Sequence, residues 1–230
     1  MASAAHVFVD DVDAPELDDP DRHHLERVLR IRAGQVVSVS DGRGRWRECR
    51  FGAALEPEGD VVVDAAPAPP ITVAFALTKA DKPEVAVQKL TEVGADRILL
   101  FRADHSVVRW DGDKTERALS RLRRVAREAA MQSRRSWLPQ VEGPVAFADA
   151  VHLPGAVLAD RGGGPPTLER PAVLVGPEGG WSAEERAAAA AVGLPTVGLG
   201  AHVLRAETAA VVAAGLLAAL RDYRVHPVAR

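Results

Sequence analysis

The sequence has one cysteine, no long apolar run and no histidine spacing typical of a metal site. Because Cys49 has no partner cysteine, an intramolecular disulfide is excluded, which is consistent with a reducing compartment. The longest apolar stretch, 209–220, has twelve residues, whereas a helix needs about 20 to cross a bilayer. The N-terminus lacks the basic and apolar segments of a signal peptide, and His23 and His24 are adjacent rather than one helical turn apart. We expect a soluble cytoplasmic protein with no structural metal.

The formal net charge of -3 conceals two charged segments of opposite sign. Residues 10–21 contain seven acids and no base, whereas residues 117–135 contain seven arginines and a single acid. A run of charge can be a solvated helix face or a phosphate-binding surface, and local basicity bears on that choice more than net charge does. The arginine-rich segment is therefore a candidate for contact with phosphate.

The first 66 residues are predicted to form a small β-rich module, with short strands and turn signals but no long helix. The pattern predicts strands at 7–9, 36–40, 45–51 and 60–64, and a helical turn at 21–30 that places Leu25, Val28 and Leu29 on one side. Strands without long helices between them favour a barrel. Arg43, Arg45 and Arg47 alternate with other residues and so share one strand face, which is either solvated or in contact with phosphate.

A proline-rich spacer at 66–70 separates this module from a second domain at 71–230, because prolines cannot continue a strand ladder. After it, strand and helix patterns alternate. Alternation of this kind predicts a mostly parallel sheet covered by helices on both faces, an α/β fold. The predicted strands are 71–77, 97–101, 156–159, 172–175 and 196–199, with a turn at 162–166, and the predicted helices are 83–93, 113–132 and 207–221.

Two glycine-rich turns near the C-terminal end are the candidate functional site. Each follows a short apolar strand and precedes a helix: residues 173–181 form the first and residues 197–208 the second. Ser182 and Glu185 fit a capping box for the helix after the first turn. Turns after neighbouring parallel strands form a crevice where α/β sheets bind ligands. The alternative is that the glycines serve only as tight turns that need positive φ.

Neither turn matches a common nucleotide motif. A dinucleotide fingerprint that starts at Gly198 requires glycine at position 203, where Val203 stands, and neither turn is followed by the lysine and serine or threonine that a P-loop requires. The turns therefore suit a flat, weakly charged ligand such as an adenine held by backbone hydrogen bonds, rather than a pyrophosphate.

The two turns, Leu-Val-Gly-Pro-Glu-Gly-Gly-Trp-Ser at 174–182 and Leu-Gly-Ala-His-Val-Leu-Arg-Ala-Glu-Thr-Ala at 199–209, resemble the signature segments of the RsmE family. Members of this family are SPOUT methyltransferases that act on N3 of one uridine in the decoding region of 16S ribosomal RNA. Further similar segments lie at 24–34, 41–44, 89–95 and 126–135, so the resemblance covers almost the whole chain.

The resemblance implies an N-terminal PUA-like β-barrel that binds RNA and a SPOUT α/β domain with a deep C-terminal trefoil knot. It also implies a homodimer, S-adenosyl-L-methionine as cofactor, and 16S rRNA or the 30S ribosomal subunit as partner. The cofactor-binding positions that match the motifs are Leu174, Val175, Gly176, Gly179, Gly180, Leu199, Gly200, Val203, Leu204, Arg205 and Thr208.

The catalytic candidates are Glu178 and Glu207, which could accept or relay the N3 proton, and Arg205, which could hold a phosphate or a uracil oxygen. An acid in the first turn of a helix is also favourable for the dipole alone, which is the plain alternative for Glu207. Arg205 could instead form only a salt bridge with one of the glutamates.

The RNA-binding candidates combine the arginine face, the central helix and the segment before it. They are Arg30, Arg43, Arg45, Arg47, His105, Arg109, Arg121, Arg124, Gln132 and Arg135. The family often has arginine at the position of His105, so this part of the RNA surface differs here. Two other functions stay open from the sequence: a ribose 2′-O-methyltransferase, and a non-catalytic RNA-binding factor in ribosome assembly.

Overall fold

The computed structural model describes residues 3–78, 82–106, 108 and 110–223, which divide into two compact units. The first unit comprises Met1–Ala66 and Arg127–Leu138, and the second comprises Pro67–Ala126 and Pro139–Arg230. In the described ranges, no helix is long and apolar enough to cross a membrane, and no group of three or more His, Cys, Asp or Glu side chains could hold a metal ion.

The first unit contains a mixed four-stranded sheet. Its strands are β1 (His6–Phe8), β2 (Val36–Ser40), β3 (Arg45–Arg50) and β4 (Glu56–Val63), in the order β1-β2-β3-β4. Strand β1 pairs with β2 in parallel, and the other two pairings are antiparallel. The core includes Val7, Leu25, Val37, Val39, Cys49 and Phe51, and Met131 from the second segment of the unit packs against it.

The helical turn of the first unit differs from the sequence prediction. It is a short helix, α1 (Asp19–His23), followed by a π-helical turn at His24–Val28. Leu25 is fully buried, but Val28 and Leu29 are 61% and 47% exposed, so the prediction of one apolar side was wrong for two of its three residues. Hydrogen bonds in a π-helix span five residues, as between the Leu29 N–H and the His24 carbonyl, so the 3.6-residue period does not apply.

A buried ion pair fixes the end of the arginine-rich helix within the first unit. The Arg127 guanidinium donates to both Asp21 carboxylate oxygens, at 2.9 and 2.6 Å, and to the carbonyl of Phe8 at 3.1 Å. The Asp21 side chain is only 9% exposed. Arg127 is therefore a structural residue, since fork-shaped pairing with a buried carboxylate occupies its donors.

The second unit is built on a six-stranded sheet in the order β10-β8-β9-β5-β6-β7, in which every described pairing is parallel. The strands are β5 (Thr72–Ala76), β6 (Arg97–Arg102), β7 (Gln140–Ala146), β8 (Ala156–Gly164), β9 (Ala172–Val175) and β10 (Thr196–Val197). The helices are α2 (Lys82–Glu92), α3 (Asp113–Gln132), α4 (Phe147–Ala150), α5 (Ala183–Ala191) and α6 (Ala206–Asp222).

Helices cover both faces of this sheet, which confirms the predicted α/β fold. Val73 and Phe75 point into a core shared with α2, α3 and α6, whereas Ala74 and Ala76 point into a second core shared with α4 and α5. Alternate residues of one strand thus face opposite layers. The strands are continuous apolar segments because both faces are buried.

Two features of the sheet are absent from the sequence prediction. Strand β7 and helix α4 were not predicted, because Glu142, Gly143 and Pro144 interrupt the apolar pattern, and a proline is tolerated in a strand at a sheet edge. The glycines at 162–164 extend β8 rather than forming the predicted turn. A Cβ atom on Gly163 would lie 2.5 Å from the Val197 carbonyl carbon, so this glycine permits the close approach of β10.

Candidate functional site

The two glycine-rich turns lie at the carboxyl ends of β9 and β10, two strands separated by β8 in a parallel arrangement. The first turn leads into α5 and the second into α6. Both turns therefore open at the same edge of the sheet, as the sequence pattern predicts.

The first turn is fixed by a network around the start of α5. Ser182 Oγ accepts from the Glu185 N–H at 3.0 Å, and the Ser182 N–H donates to Glu185 Oε2 at 2.8 Å, which confirms the predicted capping box. Asp104, just after β6, joins this network: its N–H donates to Glu185 Oε1 at 3.0 Å, and Ser182 Oγ donates to its carboxylate at 2.5 Å. The segment around His105 is thereby anchored to the turn.

The Trp181 side chain packs against the first turn. Its indole N–H donates to the Ala159 carbonyl at 2.9 Å, and its ring stacks on Phe101 with 6.0 Å between centroids. A Cβ atom on Gly176 would lie 3.0 to 3.2 Å from this ring. Gly176 is therefore glycine because the indole occupies the space of a side chain. Trp181 is part of the recognised motif but was not predicted as a site residue.

His105 packs directly on the first turn. Its Nδ1 atom lies 3.0 Å from the Gly180 carbonyl oxygen, and a Cβ atom on Gly179 would lie 3.0 Å from His105 Cβ. Gly180 has φ of 72°, a left-handed conformation that favours glycine. The side chain predicted to face RNA is thus also a contact of the turn itself.

The second turn exposes its backbone and one apolar side chain. The Gly198 N–H donates to the Gly164 carbonyl at 2.8 Å, which ties the turn to the end of β8. Gly200 has φ of 138°, with no heavy atom within 4 Å of the position of a Cβ. Val203 is 74% exposed, and Leu204 beside it is half-buried. An exposed valine three residues after an open glycine is a surface that a flat apolar group can cover.

The remaining predicted positions differ in exposure. Leu174 and Val175 are buried in β9, whereas Gly179, Arg205 and Thr208 are exposed and Leu199 is half-buried. Arg205 is the N-cap residue of α6, and Glu207 lies in the first turn of that helix.

A lysine that sequence reasoning missed connects the two turns. Lys82, the first residue of α2, donates to Glu178 Oε1 in the first turn, and its Nζ lies 4.0 Å from Glu207 Oε2 at the start of α6. The hydrogen bond to Glu178 raises the pKa of Lys82, as do the charges of both glutamates, against opposing effects of desolvation and of Arg205. No signal in the sequence links Lys82 to residues so distant along the chain.

In the first unit, two of the RNA-binding candidates, Arg45 and Arg47, have polar partners within that unit. Arg45 pairs with Asp13 at 2.8 Å, and Arg47 donates to the Gly59 carbonyl at 2.6 Å. Arg43 lies in the turn before β3 and is exposed, as are Arg30 and Gln132, whereas Arg135 is half-buried. The three arginines therefore do not form one uniform cationic strand face.

In the second unit, Arg121 and Arg124 lie on the exposed side of α3, opposite the buried Leu119, Leu122 and Ala126. Arg121 forms an ion pair with Glu84 and remains 57% exposed. Arg109 is outside the described residues.

Comparisons with known proteins agree on one family. The model of an RNA methyltransferase domain matches residues 66–218, and that of an RNA methyltransferase PUA domain matches residues 17–56. Ribosomal RNA small subunit methyltransferase E of Mycobacterium bovis is 34% identical over 228 residues, which cover 89% of this chain and 86% of that protein. The Synechocystis protein of the same name is 32% identical, with coverage of 87% and 71%.

Solved structures share the fold. A probable rRNA methyltransferase from Porphyromonas gingivalis is 27% identical, with a TM-score of 0.80 and coverage of 96% of this chain and 100% of that one. Ribosomal RNA small subunit methyltransferase E from Neisseria gonorrhoeae, solved with S-adenosyl methionine, is 24% identical, with a TM-score of 0.78 and coverage of 94% and 97%.

Proposed function

This chain belongs to the ribosomal RNA small subunit methyltransferase E family, and we propose that it methylates N3 of one uridine in the decoding region of 16S rRNA, with S-adenosyl-L-methionine as the methyl donor. The observation that carries the proposal is the pair of glycine turns at one sheet edge, joined by a lysine and two glutamates. The turns offer a binding surface, and the charged group offers a proton acceptor beside it.

The residues present fit the cofactor. A Cβ atom on Gly200 would enter open space, Val203 of the same turn is exposed, and neither turn carries the lysine of a phosphate-binding loop. An adenosyl group, whose adenine ring is flat and which has no phosphate, suits such a surface. When bound, S-adenosylmethionine supplies an electrophilic methyl group on a positively charged sulfur. The residues that would hold it are the predicted Leu174, Val175, Gly176, Gly179, Gly180, Leu199, Gly200, Val203, Leu204, Arg205 and Thr208.

The chain's own chemical task is to orient the uridine and remove its N3 proton. Uracil N3 is a poor nucleophile until it is deprotonated, and a carboxylate at hydrogen-bond distance can accept that proton. Glu178 and Glu207 are the proposed acceptors, and Arg205 is the proposed cation for a phosphate or for the charge that develops on a uracil oxygen. Alignment of the nucleophile supplies much of the remaining acceleration.

We propose the domain boundaries 1–66 and 71–230, with RNA held by the PUA-like domain and by Arg121 and Arg124. A homodimer acting on 30S particles in the cytoplasm completes the proposal. A C-terminal knot is supported by the chain path: β10 pairs at the sheet edge with β8, whereas α6 returns to pack against β5 and β9.

The test is methylation of 30S particles that lack the modification, with isotope-labelled methyl donor and mass spectrometry of the digested nucleosides. The expected product is 3-methyluridine at one position. Label on the ribose, with an unmodified base, would instead identify a 2′-O-methyltransferase. Absence of both transfer and cofactor binding would leave an RNA-binding assembly factor as the remaining function.

A further inference from the structure

We propose that Lys82 is a positioning residue that holds the Glu178 and Glu207 carboxylates together and leaves Glu207 Oε2 as the proton acceptor for the substrate. The chemical meaning of this inference rests on the proposed methyl transfer. The arrangement itself is a property of the protein alone and can be tested without the reaction.

The geometry places one ammonium group against two carboxylates from different turns. Lys82 Nζ donates to Glu178 Oε1 and lies 4.0 Å from Glu207 Oε2. The three side chains are 31%, 49% and 19% exposed, in the order Lys82, Glu178 and Glu207. Two carboxylates that share a site favour protonation of one of them, and a cation within about 4 to 6 Å opposes this. Lys82 Nζ is therefore placed to attract both carboxylates at once.

The two glutamates differ in how Lys82 contacts them. Lys82 occupies Glu178 Oε1, whereas Glu207 Oε2 is buried and has no hydrogen-bond partner among the described residues. At 4.0 Å the ammonium is too far to hydrogen-bond this oxygen, but close enough to attract its charge. A buried lone pair without a donor is energetically costly, and an N–H group of a bound base would satisfy it. The proton would pass from N3 to Oε2. The electron pair left on N3 would form the new bond to the methyl carbon as the methyl–sulfur bond breaks, and the sulfur would keep that bonding pair and leave as a neutral thioether.

Local helix energetics do not explain a lysine at this position. Lys82 is the first residue of α2, and a cation at a helix N-terminus is unfavourable for the dipole. Glu207 lies in the first turn of α6, where an acid is favourable. The lysine therefore owes its stabilisation to the two carboxylates rather than to its own helix.

The packing of α2 against α6 does not depend on Lys82 either. At the opposite end of the helix pair, the Arg221 guanidinium donates to the Gly94 carbonyl at 3.3 Å and to Asp96 Oδ2 at 2.5 Å. Ala210, Ala213, Ala214 and Leu217 of α6 are fully buried in the core that also contains residues of α2. Loss of Lys82 should therefore alter the charge of the site more than the fold.

Other charged side chains lie on α2, on α6 and on the neighbouring helix α3. The positive charge of Arg205, at the N-cap of α6, acts to lower the pKa of Lys82. From α2, Glu84 faces Arg121 of α3, and Lys89 pairs with Glu92 at 2.8 Å on the same helix. Lys89 is the matched control, since it is a lysine of α2 that pairs with a glutamate away from the turns.

The experiment compares the wild type with Lys82→Met, Lys82→Arg and the control Lys89→Met. The first measurement is a pH titration of the ligand-free protein, with glutamate carboxyl carbons labelled for NMR. The second is the pH profile of kcat/KM for methylation of 30S particles, with the affinity for S-adenosylmethionine measured by calorimetry.

In Lys82→Met, one glutamate carboxyl should take up a proton at higher pH than in the wild type, and the acidic limb of kcat/KM should move in the same direction. Near neutral pH the rate should fall by about 100-fold, the lower end of the contribution of general acid–base catalysis, while cofactor affinity changes little. Lys82→Arg should restore most of the profile, and Lys89→Met should match the wild type.

The inference would be overturned if Lys82→Met had the same carboxyl titration and the same pH profile as the wild type. A loss of activity that is the same at every pH, or that Lys89→Met shares, would also overturn it, because a general structural effect predicts that result. If the wild type methylates nothing, the proposed function fails, whereas the titration of the ligand-free protein still decides whether Lys82 holds the two carboxylates.

Discussion

The imidazole Nδ1 of His105 lies 3.0 Å from the carbonyl oxygen of Gly180 in the first turn. A carbonyl oxygen only accepts hydrogen bonds, so Nδ1 carries the proton, and in the neutral ring Nε2 presents its lone pair. His105 thus couples a segment proposed to face RNA with a turn proposed to hold the cofactor.

His105→Ala should weaken binding of S-adenosylmethionine, because it removes this hydrogen bond and the imidazole ring from beside Gly179, although Cβ remains. A net hydrogen bond contributes about 0.5 to 1.5 kcal/mol, so we expect a loss of affinity of about 2- to 12-fold. Calorimetry measures it, with the exposed His152→Ala as control. Equal affinities for the wild type and His105→Ala would show that the contact does not organise the turn.

Gly176→Val should abolish cofactor binding and destabilise the second unit. The new side chain would push against the Trp181 indole, which is fixed by Ala159 and Phe101. Overpacking of this kind costs about 1 to 3 kcal/mol. Thermal unfolding and calorimetry report both effects. The control is Gly215→Ala in α6, where a Cβ meets nothing within 4 Å and should stabilise the helix slightly. Normal methylation by Gly176→Val in cells would contradict a catalytic role for the turn.

Replacement of both Arg121 and Arg124 by glutamine should weaken RNA binding and flatten its dependence on salt. Each phosphate contact that is lost reduces the slope of log K against log salt by about 0.7 to 0.9. Arg121 already forms an ion pair with Glu84. If that pair persists in the complex, Arg121 contributes nothing to the affinity for RNA, so the measurement can contradict the prediction. Binding titrations over a range of salt concentration measure the slope, and Lys89→Gln with Arg186→Gln removes the same charge elsewhere. An unchanged slope would assign the two arginines to the fold.

The first unit should lose stability in mild acid because of His6. Burial lowers the pKa of His6 to about 4 from 6.5, opposed by the hydrogen bond to the Arg135 carbonyl and assisted by the charge of Arg134. Above pH 6.5 the ring is neutral in both the folded and the unfolded chain. As the pH falls from 6.5 towards 4, the unfolded state binds the proton first. The loss can reach about 3 kcal/mol, at about 1.4 kcal/mol per pH unit.

Urea unfolding over this pH range measures the effect. His6→Gln cannot titrate and should show a flatter pH dependence, whereas the exposed His152→Gln should behave as the wild type. Parallel curves for the wild type and His6→Gln would assign the acid sensitivity to other groups.

The strongest local patterns were sufficient to predict most elements. Helix α3 begins and ends at the predicted residues, and its apolar stripe recurs at helical spacing at Leu119, Leu122, Val125, Ala126 and Ala129. The capping box at Ser182 is a contact between residues three positions apart, so the sequence alone contains it. Strand β7 was missed because Gly143 and Pro144 break the pattern, and Val28 and Leu29 were misplaced because a π-helical turn changes the period.

The sequence by itself determined the α/β alternation, the place of the two turns after apolar strands, and the candidates Glu178, Arg205 and Glu207. Only the tertiary structure decided that Lys82 lies between the two glutamates, that Trp181 fills the space beside Gly176, and that Asp21 engages Arg127. The physical reason is how far apart the interacting residues lie along the chain. Helix periods, caps and turns depend on neighbours along the chain, whereas the pairing of charges depends on which strands and helices the fold brings side by side.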